Sequence, residues 1–136
     1  MINQIFVNLL VKDLQKTMTF WKALGFEFNP QFTNEDAGCL VLGENIFAML
    51  MVEKSWTGFT PGRKIVDTSK AIEVLNAIQV GSREEVDEIF EKVMANGGQE
   101  FRDTEDHGFM YNRPFVDIDG HIWEPFYMDM SKLPKQ

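Results

Sequence analysis

Residues 115–124 read FVDIDGHIWE, an acidic turn sequence enclosed by apolar and β-branched residues. The central DIDG, residues 117–120, has the composition of a tight turn, because aspartate can hydrogen-bond the nearby backbone and glycine accepts left-handed backbone angles. The apolar flanks predict one strand over residues 108–116 and another over residues 122–128. The stretch is therefore predicted to connect the last two strands of the chain.

The residues before this turn predict a strand, a helix and a further strand. Residues 73–80 are strand-like, and Ser82 follows with Glu85 three positions later, which is the spacing of a helix capping box. The apolar face of the predicted helix comprises Val86, Ile89, Phe90 and Val93. Gly97 and Gly98 end it. Residues 99–104 predict the next strand, so this half reads as strand, helix and three strands.

The first half of the chain shows the same order. A strand is predicted over residues 2–11, and Asp13 follows as a helix N-cap. The helix carries its apolar face at Leu14, Met18, Trp21 and Leu24. Gly25 ends the helix. Three strands are predicted over residues 26–32, 37–42 and 46–53.

The two halves form an internal repeat of 69 residues, measured from Val11 to Val80 at the strand-to-helix junctions. We therefore predict an α+β fold of two βαβββ modules within one domain, 1–136. The modules span about 2–54 and about 70–130, joined by a linker over 55–69 with no clear period. Residues 131–136 are predicted to be a loose tail. Pairing two curved sheets buries their apolar faces or creates a cleft.

Composition narrows the classes of function. The 136 residues include 13 Lys and Arg against 21 Asp and Glu, a net charge of −8, which argues against nucleic acid and anionic membranes as partners. The single Cys39 excludes an internal disulfide and is interpreted as a small buried hydrophobe. No apolar run approaches the length of a membrane span, so a cytoplasmic location is expected.

Two stretches resemble the vicinal oxygen chelate superfamily, which includes lactoylglutathione lyases, fosfomycin-resistance enzymes, extradiol dioxygenases and bleomycin-resistance proteins. They are VKDL with FW and LGF in residues 11–26, and the DIDGHIWE of residues 117–124. The resemblance covers about residues 3–128. It implies two βαβββ modules around an open, curved mixed-sheet barrel of glyoxalase type, and a homodimer. It also implies, for enzymatic members, a divalent metal held by His, Gln or Glu from four strands.

The metal positions implied by the resemblance are mostly apolar in this chain. Phe6 and Leu75 stand at the first-strand positions of the two halves, and residues 49–51 (MLM) at a third. Only Glu124 stands at a ligand position and offers a donor. Since catalytic Zn²⁺ or Fe²⁺ needs about three protein ligands, we predict no metal and no other cofactor.

The same substitutions predict a carbon-lined ligand site. Its apolar wall is predicted to comprise Phe6, Met49, Met51, Leu75, Phe109 and Phe126. Its polar groups are predicted to be Asn8, Tyr111, Arg113 and Glu124. Glu124 then pairs with Arg113 or Tyr111, takes up a proton, or meets a cationic or donor group of a ligand. Tyr111 and Arg113 could equally serve barrel packing, and Asn8 could bond a neighbouring strand.

The histidines leave two interpretations open. His107, in a loop between predicted strands, is either a solvated residue or a group at the site rim that contacts ligand or acts as a general base. His121 directly follows the turn and is expected on the face opposite Glu124, where it would serve as a hydrogen-bonding group.

These features predict a homodimer that binds a small organic molecule without the standard metal centre. One alternative is a lyase, isomerase or dioxygenase of the same superfamily, with or without a metal, that uses Glu124 and His107 as catalytic residues. Another is a structural or interaction module whose barrel is filled by its own side chains. Residues 70–130 carry 5 basic and 14 acidic side chains. Their acid excess fits a solvated helix face or attraction of a cationic ligand.

Overall fold

The computed structural model describes residues 1–133 and divides the chain into two compact units. The first is Met1–Ile65 and the second runs from Val66 onward. Three α-helices lie within the described residues, and none of them is long and apolar enough to cross a membrane. Of the tail predicted over 131–136, residues 134–136 lie outside the described part, and Met130–Lys132 form a 3₁₀ turn.

The first unit is a four-stranded mixed sheet covered by one long helix. Its elements are β1 (Ile5–Leu10), α1 (Leu14–Ala23), β2 (Glu27–Phe28), β3 (Ala37–Gly43), β4 (Ile46–Met51) and α2 (Glu53–Phe59). The strand order is β1-β4-β3-β2, with β1 parallel to β4 and the other pairs antiparallel. Asp13 caps α1 as predicted, accepting from the Lys16 amide at 3.2 Å.

Helix α1 packs on the face of this sheet that carries Leu9, Gly38 and Leu50. A Cβ atom built on Gly38 would lie 3.3 Å from a methyl group of Leu14, which shows how closely the helix approaches. Leu9 and Leu50 are buried on this face. The alternating residues of β1 and β4 consequently point to the opposite face.

The second unit is a curled half-barrel centred on its last strand. Its elements are β5 (Leu75–Gln79), α3 (Arg83–Ala95), β6 (Gln99–Glu100), β7 (Glu105–Asp106), β8 (Met110–Asn112), β9 (Phe115–Val116) and β10 (Ile122–Met128). Strand β10 pairs with β5 in parallel and with β8 and β9 antiparallel. The Ser82 hydroxyl accepts from the Glu85 amide at 3.1 Å, which confirms the predicted N-terminus of α3.

The segment FVDIDGHIWE owes its pattern to the buried carboxylate of Asp117. One oxygen accepts from the amides of Asp119 and His121 at 2.8 and 3.0 Å, and the other accepts from the Trp123 indole at 2.8 Å. Gly120 has a φ of 86°, and a Cβ atom there would lie 2.3 Å from the Thr68 hydroxyl oxygen. The turn, the Trp123 indole and Gly120 thus meet at one corner, which the Asp117 carboxylate holds by hydrogen bonds. Burial of this carboxyl raises the pKa of Asp117.

Both units have the predicted strand, helix and strand order, and the α+β glyoxalase-like fold is confirmed. Four local predictions differ from the structure. The strand predicted over 26–32 ends at Phe28, and Pro30–Phe32 form a 3₁₀ turn. The strand predicted over 108–116 is divided into β8 and β9, because Pro114 lacks an amide hydrogen and cannot continue the ladder. The strand predicted over 99–104 ends at Glu100, and the linker predicted over 55–69 overlaps helix α2.

Candidate functional site

Glu124 lies on the face of the second sheet that is opposite α3. It pairs across β5 with Ala77, and its side chain retains only 12% of its accessible surface. Because residues paired across a sheet share one side, the strand registers identify its neighbours. We call this side the Glu124 face, which carries Leu75, Ala77, Glu105, Asn112, Glu124 and Phe126.

An arginine connects two carboxylates on this face. The Arg102 guanidinium contacts Glu124 through Nη1 and donates from Nε to Oε1 of Glu105 at 2.9 Å. The other oxygen of Glu105 lies 3.3 Å from Nε2 of His107. The hydrogen bond from Arg102, followed by the contact with His107, lowers the pKa of Glu105. Glu124 and His107, the two predicted catalytic residues, are therefore joined through Arg102 and Glu105.

Two buried acceptor atoms on the Glu124 face differ in how they are engaged. Oε1 of Glu124 is held by Arg102 as an ion pair, and Oδ1 of Asn112 has no hydrogen-bond partner. Asn112 is 6% exposed. A buried polar atom left without a partner costs about 1–3 kcal/mol. Both atoms are acceptors, so a group that binds to them must be a donor.

Tyr111 and Arg113 do not reach the Glu124 face, and the predicted pairing of Glu124 with either residue is wrong. The Tyr111 hydroxyl donates to Asp87 of α3 at 2.6 Å, and Arg113 donates to the same carboxylate at 2.9 Å. The Arg113 guanidinium also lies 3.9 Å from the centre of the Phe90 ring. In β8 these residues alternate with Asn112. The side chain of Asn112 therefore points to the Glu124 face, whereas that of Tyr111 points to helix α3.

The predicted residues of the first unit share one face of their sheet. The rings of Phe6 and Phe47 are stacked at 4.6 Å, and the register places Asn8 beside Met49 on the same side. The Asn8 side-chain amide donates to the backbone oxygen of Phe6 at 3.2 Å. Met51 belongs to this face but is 6% exposed. The structure thus brings Phe6, Asn8, Met49 and Met51 together.

Three further residues that the sequence analysis singled out are Phe109, His121 and Cys39. Phe109 follows His107 in the loop before β8, and their ring centres are 6.3 Å apart. His121 is buried near the turn, with Nδ1 3.1 Å from a carboxylate oxygen of Glu73, which fits the expected hydrogen-bonding role. Cys39 is fully buried as predicted, and burial raises the pKa of its thiol.

Sequence reasoning did not identify Arg102, Glu105 and Asn112. Arg102 and Glu105 lie in the polar segment RDTEDH, residues 102–107, which reads as an ordinary solvated loop. Asn112 lies between Tyr111 and Arg113, whose larger polar side chains were assigned to the site instead. Only the pairing of β8 with β10, and of β7 with β8, brings all three to Glu124.

Solved structures with the same fold include a hypothetical protein, glyoxalase/bleomycin resistance proteins and fosfomycin resistance proteins. A hypothetical protein from S. aureus shares 29% identity and superposes with a TM-score of 0.77, covering 93% of this chain and 95% of that one. A glyoxalase/bleomycin resistance protein/dioxygenase family enzyme from Burkholderia phytofirmans PsJN shares 13% identity with a TM-score of 0.76, covering 90% and 96%. The chain has the vicinal oxygen chelate fold.

A third structure with this fold is a genomically encoded fosfomycin resistance protein, FosX, from Listeria monocytogenes. It shares 22% identity with a TM-score of 0.66, covering 100% of this chain and 97% of that one. No family model matches the sequence, and no curated protein matches it. The structural comparison therefore carries the assignment of the fold.

The side chains at the metal positions implied by the vicinal oxygen chelate fold do not fit a divalent ion. Phe6 and Leu75 have no lone pair to offer, and the methionines of β4 provide only thioether sulfur. Glu124 is engaged by Arg102. Within residues 1–133, no group of three or more His, Cys, Asp or Glu side chains is placed to hold an ion. The donor set on these strands is therefore unsuited to the metal chemistry of the superfamily.

Proposed function

We propose that this chain binds a small organic molecule on the Glu124 face, through a hydrogen-bond donor of the ligand and without a divalent metal. The observation that carries the proposal is the buried Oδ1 of Asn112, an acceptor without a hydrogen-bond partner on the same face as the Glu124 carboxylate. A ligand donor that reaches this Oδ1 would remove a cost that the free protein bears.

The surroundings of these acceptors suit the carbon skeleton of an organic ligand. Leu75 is 50% exposed on the same face, and Phe126 is half-buried beside Asn112. Binding sites for small molecules combine apolar walls with a few polar groups that orient the ligand. Bleomycin resistance and fosfomycin resistance, named for the structural neighbours, are both directed at small organic molecules, which agrees with this assignment.

NMR titration of the ¹⁵N-labelled full chain with a fragment library tests the proposal. Fragments that bind should shift the side-chain amide resonances of Asn112, and binding should weaken in Glu124→Gln and in Asn112→Leu. Tyr111→Phe is the matched control, because it removes a polar atom from the same strand on the opposite face. Fragments that bind equally well to all four proteins, or an absence of binding fragments, would contradict the proposal.

We also propose that the protein is a cytoplasmic homodimer. Apolar side chains of β1 and β4 support association, since Ile5, Phe6 and Ile46 are each more than 40% exposed. The single free cysteine is suited to a reducing compartment.

A further inference from the structure

We propose that the ligand of the Glu124 face is an organic cation, an ammonium or amidinium group on an apolar body, and that Arg102 holds its position until the ligand displaces it. This inference rests on the proposed function and specifies its ligand class. Arg102 would act as an internal competitor whose guanidinium occupies the carboxylate that the ligand needs.

The charges of the network favour a cation over an anion. Glu124 and Glu105 are two carboxylates served by the single guanidinium of Arg102. Two carboxylates against one guanidinium give the network a net charge of −1 before His107 is counted. A monocation neutralises this excess, whereas an anion would meet two carboxylates and a guanidinium whose donors are already engaged.

The buried acceptors lead to the same ligand class. Oδ1 of Asn112 has no partner, and Oε1 of Glu124 is freed when Arg102 leaves. Both atoms can accept a hydrogen bond, and neither can donate one. An ammonium or amidinium group carries at least two N–H donors and could serve both atoms. A carboxylate or phosphate ligand has no donor for either.

The exposure of Arg102 allows it to leave Glu124. Its Nε and Nη2 both donate to a single oxygen of Glu105, Oε1, while Nη1 contacts Glu124. The side chain of Arg102 is 39% exposed and that of Glu105 is 33% exposed, so water can replace the contacts that Arg102 gives up when it turns outward. A guanidinium that turns outward is hydrated, so its release from Glu124 leaves no buried, unpaired cation.

Removing Arg102 should consequently strengthen the binding of a cation. The probes are phenethylammonium, phenethyl alcohol and phenylacetate, which share an aromatic body and differ in charge. Their dissociation constants are measured by NMR titration of the ¹⁵N-labelled full chain at pH 8. We expect Arg102→Gln to bind phenethylammonium about tenfold more tightly than the wild type, the usual size of a competitive coupling. The affinity for phenethyl alcohol should stay unchanged.

Arg83→Gln is the matched control for the loss of a positive charge. Arg83 is equally exposed, at 40%, and pairs with Asp106 instead of Glu124. The Arg83→Gln variant should bind all three probes with the same affinity as the wild type. Glu124→Gln should remove the preference for the ammonium over the alcohol. If Arg102→Gln fails to fold, Arg102→Lys serves instead, because lysine keeps the charge without the planar guanidinium. The affinity of Arg102→Lys for phenethylammonium should exceed that of the wild type and stay below that expected for Arg102→Gln.

The outcomes separate this inference from the proposed function. If a folded Arg102 variant binds phenethylammonium no more tightly than the wild type while the probes still shift Asn112, displacement is rejected and the binding site remains. If the wild type binds phenylacetate more tightly than phenethylammonium, Arg102 binds anions instead of competing with cations. That result would also overturn the inference. If none of the three probes binds the wild type or the Arg102 variants, both proposals fail.

Discussion

Glu124 is paired with Arg102, a residue of the loop before β7, although Arg113 lies closer in the sequence. The guanidinium serves Glu105 as well, so the two carboxylates depend on one cation while the cation has two partners. This asymmetry determines what each substitution leaves behind: removing Glu124 leaves Arg102 paired, but removing Arg102 leaves a largely buried carboxylate.

The asymmetry predicts unequal costs for two isosteric changes. Arg102→Gln should lower the free energy of unfolding by about 1–3 kcal/mol, because it leaves the Glu124 carboxylate without its cation. Glu124→Gln should lower it by less than about 1 kcal/mol, because Arg102 keeps Glu105. Urea unfolding followed by tryptophan fluorescence measures both. A larger cost for Glu124→Gln than for Arg102→Gln would refute the described pairing.

Gly120 should tolerate alanine less well than Gly108 does. Both have positive φ, 86° and 80°, so each substitution bears the cost of left-handed backbone, about 1–2 kcal/mol. A Cβ atom at Gly120 would also lie 2.3 Å from the Thr68 hydroxyl oxygen, whereas one at Gly108 would meet nothing within 4 Å. Thermal unfolding of the two variants isolates the steric contribution. Equal melting temperatures would show that Thr68 does not crowd this turn.

Asp87 should contribute stability that disappears in acid. The hydrogen bond from Tyr111 lowers the pKa of Asp87, burial opposes this change, and Arg113 reinforces it. A carboxyl whose folded pKa is depressed stabilises the protein above its unfolded pKa of about 3.9, and this contribution is lost as the pH falls through the folded pKa.

The stability difference between the wild type and Asp87→Asn should therefore be largest near pH 6 and shrink below about pH 4. Chemical unfolding at a series of pH values measures it. Glu88→Gln, an exposed change on the same helix, is the control and should show a smaller dependence on pH. A difference that stays constant down to pH 2 would contradict the role of Asp87.

Divalent metals should not stabilise the protein. Phe6 and Leu75 place carbon at two metal positions implied by the fold, and Arg102 engages Glu124, the carboxylate that stands at another of these positions. The melting temperature of dialysed protein should therefore be unchanged by Zn²⁺, Ni²⁺, Mn²⁺ or Fe²⁺. Elemental analysis provides an independent measurement. About one equivalent of metal per chain, lost in Glu124→Ala, would show that the prediction is wrong.

The protein should be a homodimer at micromolar concentration. Exposed apolar side chains on β1 and β4 lose contact with water on association, and paired sheets protect their edge strands. Light scattering should give a mass of twice the 15.7 kDa of one chain. A mass near that of one chain would contradict the prediction.

Features that depend on neighbouring residues could be predicted from the sequence. The periodicity of apolar residues located α1 and α3, Ser82 and Asp13 marked where they begin, and β10 spans the predicted Ile122–Met128. Each of these signals acts within one or two turns of helix or along one strand. The residues of the Asp117 corner are likewise close in sequence, so its pattern could be recognised before its hydrogen bonds were known.

The partners of Glu124 depended on the tertiary structure. Pro114 interrupts the predicted strand, and the registers of β7 and β8 bring Glu105 and Asn112 to Glu124 while turning Tyr111 towards Asp87. The side chains of a strand point alternately to its two faces. Which residues of other strands lie beside them depends on pairing between segments that are distant in the sequence. Local sequence thus predicts the strand that carries Glu124, and long-range pairing decides that Arg102 meets it.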